Sequence, residues 1–181
     1  MDLSLWTVVA KTTVVHTVTY FAMGVLAMTV FRYSRRLADP AVVETMRGTD
    51  DPLVRAGVLF QPIRGALFGL VFFLLRDVVF AQSAGWLILW ATLVVLGIVS
   101  TFGPARGSIE GLIYLKQPFT KLWVGMFEVL SQSFLLAAVS FAWVTHPKSG
   151  WLSWLLVGLF VVALALPALG LLAATKKRGQ G

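Results

Sequence analysis

The chain has 181 residues, 58% of them apolar and 13% charged, with a net charge of +7 and no cysteine; its mean hydropathy is +0.84. A water-soluble globule of this size cannot hide so much apolar surface, so a cytosolic enzyme domain, a disordered chain and a disulfide scaffold are excluded and an integral membrane protein remains. The basic residues lie between apolar runs, so the expected partners are membrane lipids, including anionic headgroups, and not nucleic acid.

A helical span needs about 20 apolar residues to cross a bilayer. Five runs qualify, at 7–31, 58–80, 86–102, 122–144 and 151–175. They predict one all-α membrane domain over 1–181, a bundle of five transmembrane helices. The first run is expected to be a span and not a cleavable signal. Asp2 stands where a basic flank belongs, no small-residue cleavage site follows, and Arg32, Arg35 and Arg36 come directly after it. Within it Thr12, His16, Tyr20 and Gly24 recur every four residues, with Thr13 and Thr17 beside them. That is a polar stripe on one helical face. His16 there is either a hydrogen-bonded packing residue or a proton relay.

The loop 32–57 carries helix grammar: Asp39 as a cap, Pro40 in the first turn, Glu44 behind it and Gly48 as a stop. Asp51–Pro52 repeats the start signal ahead of the second run. That run is the weakest, because its charge-free window, Gly65 to Leu75, rises only about 16 Å. Arg64 and Arg76 must therefore snorkel or be paired inside the protein. Gly65 and Gly69 offer another helix a close approach. Asp77, near the far end of the run, is placed to meet Lys11.

Between the third and fourth runs, 103–121 holds three glycines and two prolines among apolar residues. An irregular segment, interfacial or re-entrant, fits both facts. Arg106, Glu110 and Tyr114 stand in it. The fourth run contains Glu128, with Ser131 and Gln132 on the same face. Counted from the ends of their runs, Arg64 and Glu128 fall at similar depth, and Gln61 lies one turn from Arg64; an Arg64–Glu128 pair between helices 2 and 4 is predicted. The fifth run has Pro167 at its centre, which predicts a kink, and small residues at Gly158, Ala163, Ala165, Ala168 and Gly170 for close packing.

The Lys/Arg bias favours the loops 32–57 and 103–121 and the C-terminal tail, which predicts an outside N-terminus and a cytoplasmic C-terminus. Trp6, Trp86, Trp143, Trp151 and Trp154 mark the expected outer interface and Trp123 the inner one. The expected setting is a plasma membrane, taken as a bacterial inner membrane. No phosphate-binding loop, zinc helix or nucleophile elbow is present, and two histidines without cysteine leave few metal ligands. No cofactor or metal is expected. The reading is a non-catalytic accessory or assembly subunit that packs against other membrane proteins or itself. The alternatives are a small transporter or channel with a polar path through Gln61, Gln132, His16 and Tyr20, and, behind it, a lipid-modifying enzyme working at the cytoplasmic interface.

Overall fold

The computed structural model describes residues 3–30, 47–48, 51–116 and 123–178; these form helices, turns and loops, without a strand among them. The anticipated surface helix at 39–48 falls almost wholly outside the described residues, as do Arg32, Arg35, Arg36 and Lys121.

The first helix, α1 (Leu5–Thr29), starts where Ser4 accepts a hydrogen bond from the Thr7 amide. A single turn, α2 (Pro52–Arg55), follows Asp51, whose carboxylate accepts from the Leu53 amide at 2.8 Å. The second span begins as a 3₁₀ turn (Gly57–Phe60) and continues as α3 (Gln61–Leu74). The wider rise of the 3₁₀ turn brings these 18 residues to about 29 Å, close to a hydrocarbon core. The predicted run to residue 80 is broken at Leu75, and α4 (Arg76–Val79) forms a separate turn.

Next come α5 (Gly85–Val94), which loosens into a π turn at Val95–Val99, α6 (Ile109–Tyr114), α7 (Trp123–Thr145) and α8 (Gly150–Arg178). Four helices are long and apolar enough to cross a membrane; the stretch Gly85–Val99 is apolar but shorter. At about 22 Å it falls short of the length expected from 86–102. The helix stops at Val99 because Ser100 leaves helical geometry, ahead of Gly103 and Pro104.

The first helix is the axis of the bundle. It packs most extensively on α3, then on α7 and α8, while α5 packs on α7. Its buried side chains run round much of its circumference, from Val8 and Thr12 through His16 and Thr19 to Ala27. Gly65 faces Thr13 and His16 whereas Gly69 faces Val9 and Thr12, so α3 runs antiparallel to α1. The α7 face buried in the bundle carries Ser133, Leu136, Ala137, Ser140, Trp143 and Val144, spaced by three and four as a helical stripe requires. Pro167 lies inside a continuous α8, where it has no N–H to give the Ala163 carbonyl.

Candidate functional site

Two glycines build the centre of the molecule. A Cβ on Gly65 would stand 2.8 Å from Thr13 Cα, and one on Gly69 would stand 2.7 Å from Val9 Cα. Only hydrogen fits at both, so the α1 and α3 backbones approach closely there. The small-residue pattern therefore serves a helix of this same chain.

That approach brings three of the polar-path residues together. Gln61 Nε2 donates to the Gly57 carbonyl at 2.9 Å, which turns its Oε1 toward His16 Nε2 at 3.1 Å. An amide oxygen only accepts, so in this arrangement His16 Nε2 is the donor. His16 Nδ1 and Thr12 Oγ1 are buried without a hydrogen-bond partner. Tyr20 packs at 6.3 Å from the His16 ring, and its hydroxyl lies 4.0 Å from where a Cβ on Gly57 would stand. Phe68 meets the imidazole edge-on at 5.0 Å. The result is a polar seam inside a helix–helix contact.

Arg64 and Glu128 are not brought together. The Arg64 guanidinium lies over the Phe68 ring at 5.5 Å, and the ion pairs among the described residues are Arg47–Asp51 and Arg76–Asp77. The reason is register. Arg64 adjoins Gly65 at the middle of α1. Glu128 lies 15 residues along α7 from Trp143, about 22 Å, and the Trp143 carbonyl accepts from Lys11 near the start of α1. Depth counted from the ends of apolar runs missed this, since the runs do not begin at one level. Glu128 and Gln132 are half-buried on α7, with Ser131 between them. An unpaired arginine at a helix centre costs about 2.5–3.5 kcal/mol on insertion scales.

The expected Lys11–Asp77 contact is replaced. Lys11 Nζ donates to the Trp143 carbonyl at 2.8 Å and sits over its ring, while Asp77 pairs with Arg76 beside it. Trp143 is buried, and its indole N–H donates to Ser153 Oγ at 2.8 Å. It is part of the core, whereas Trp6, Trp151 and Trp154 are exposed. Trp86 and Trp90 both meet Phe134 edge-on. No sequence pattern distinguishes Trp143 from the others.

The segment 103–116 is a built turn. Ser108 Oγ donates to the Ala105 carbonyl and accepts from the Ala105 and Gly111 amides. Gly107 has φ +87° and a Cβ at Gly111 would strike the Ala105 carbonyl, so both positions require glycine. Ile109, Glu110, Leu112, Ile113 and Tyr114 on α6 are exposed, and so is Arg106. Glu110 borders a groove of about 260 Å³ with Ser100, Thr101 and Phe102. A second groove, about 330 Å³, is walled by Trp86, Phe134 and Phe141 with His146 at its end.

The chain matches no protein-family model, no curated protein and no solved structure.

Proposed function

We propose that this chain is a non-catalytic accessory or assembly subunit of a plasma membrane, a bacterial inner membrane, packing against other membrane proteins or itself. In this reading it crosses five times, with Gly85–Val99 as a thin crossing, an outside N-terminus and a cytoplasmic C-terminus. The Lys/Arg distribution supports that orientation.

The observation that carries the reading is α8. This helix spans Gly150–Arg178, yet its buried apolar side chains are Leu156 and Ala163. Ala163 serves the chain's own core. Gly158 and Gly170 have nothing within 4 Å of a built Cβ. Small residues opposite open space give another helix's backbone room to approach, which is how helices associate where apolar burial alone gives no advantage over lipid. Substituting Gly158→Leu and Gly170→Leu tests this, since a Cβ at either position meets nothing among the described residues. The expected outcome is unchanged helicity with loss of the protein that co-purifies stoichiometrically in mild detergent. A wild-type chain that purifies only as a clean monomer ends the reading.

A second reading is a small transporter. Its support is the seam of Gln61, His16 and Tyr20, with unused hydrogen-bonding capacity at His16 and Thr12, and the half-buried Glu128 and Gln132. It requires water at Glu128, so carbodiimide labelling of that carboxylate in intact membranes is expected. An unreactive Glu128 removes it.

A further inference from the structure

Arg64 sits where a cation is hardest to keep. It is seven residues into a span that begins at Gly57 and ten from Leu74, about 12 Å from one end and about 15 Å from the other. Both distances exceed the reach of its side chain. The guanidinium does not extend back toward the nearer end; it covers Phe68, one turn farther into α3. Arg64 is exposed, flanked by Ile63 at 65% and Leu67 at 61% exposure, and α3 packs chiefly on α1. This flank faces out of the bundle.

The carboxylates of the described residues lie elsewhere. Asp51 precedes the span and holds Arg47, Asp77 follows it and holds Arg76, Glu110 is exposed on α6, and Glu128 lies about 22 Å along α7 from the Trp143 contact with Lys11. A second copy therefore offers no carboxylate at the depth of Arg64 from these residues.

We propose that the outward flank of α3 docks a transmembrane helix of another protein that carries an aspartate or glutamate near mid-membrane, and that Arg64 forms a charge-assisted pair with it. Charge complementarity selects the occupant: an ion in hydrocarbon requires an opposite charge at its own depth. The proposal rests on the accessory-subunit reading and names the chemistry of the partner.

The test uses the full chain in phosphatidylcholine nanodiscs and synthetic Leu/Ala helices of about 20 residues, read by energy transfer. One peptide carries glutamate at its centre, one glutamine at its centre and one glutamate near its end. Wild type is expected to bind the central-glutamate helix about tenfold tighter than either control, R64K to keep that preference and R64Q to lose it. Equal binding of the three peptides by wild type overturns the proposal, whatever the variants do. So does a preference that survives in a folded R64Q, because the guanidinium would then be serving headgroups or nothing. Neither result bears on α8, so loss of a partner in G158L would still support the broader reading.

Discussion

Gln61 joins a carbonyl on its own helix to an imidazole on another. Because one amide serves both, removing it leaves the His16 Nε2–H with nothing to donate to inside a packed contact. Gln61→Leu is expected to destabilise the protein by about 1–3 kcal/mol, the usual consequence of orphaning a buried donor. Denaturant titration in detergent micelles measures it, and a change within error of zero would mean the bond contributes nothing. The tautomer is separately visible: nitrogen NMR should find His16 protonated at Nε2 and bare at Nδ1. Outside the membrane, the hydrogen bond from Arg47 and then that from the Leu53 amide hold the Asp51 carboxyl below its ordinary value. A lowered carboxyl contributes above its unfolded value and stops contributing as pH falls through the lowered one. The α2 cap should thus persist into more acid solution than an ordinary aspartate allows. Arg47→Gln should raise the Asp51 midpoint in an NMR titration.

Helices register one against another through their smallest residues. At Gly69 the neighbour is Val9 backbone, which cannot rotate away, so Gly69→Ala must push α1 and α3 apart. The expected cost is about 1–3 kcal/mol, as for overpacking elsewhere, and Gly24→Ala, where a Cβ meets nothing within 4 Å, is the matched control. Equal stability of the two variants would contradict the close approach. Most of the helices were legible beforehand, because a bilayer imposes length and hydropathy directly on sequence: α1, α7 and α8 begin and end within about three residues of expectation. The polar stripe through Thr12, His16 and Tyr20 was legible too, along with the glycine pair. What the stripe packs against was not. Periodicity names a face and leaves its partner open, so Arg64 was matched to Glu128 by counting when register places it beside His16. The break at Leu75 and the early end of α5 were equally hidden, since Leu75 and Ser100 carry no strong stop signal of their own.

At the scale of the whole chain, topology turns on Gly85–Val99. The absence of cysteine makes single-cysteine labelling clean. If this stretch crosses, Ser83→Cys and Lys148→Cys should react with an impermeant maleimide from the same side and Glu110→Cys from the opposite one. Reaction of Ser83→Cys and Glu110→Cys from one side would leave four crossings and put both chain ends in one compartment. The distribution of contacts has a further bearing on how the protein is made. The axial helix α1 comes before all its neighbours in the chain, and Thr12, His16, Thr17 and Thr19 on it are buried only once α3, α7 and α8 have arrived. During translation it would enter the bilayer with hydroxyls and an imidazole facing acyl chains, its glycine-bearing mate still unsynthesised. Such a helix needs shelter at the insertion machinery until α3 emerges, and chains stalled before Gly65 should be the ones a membrane protease removes first.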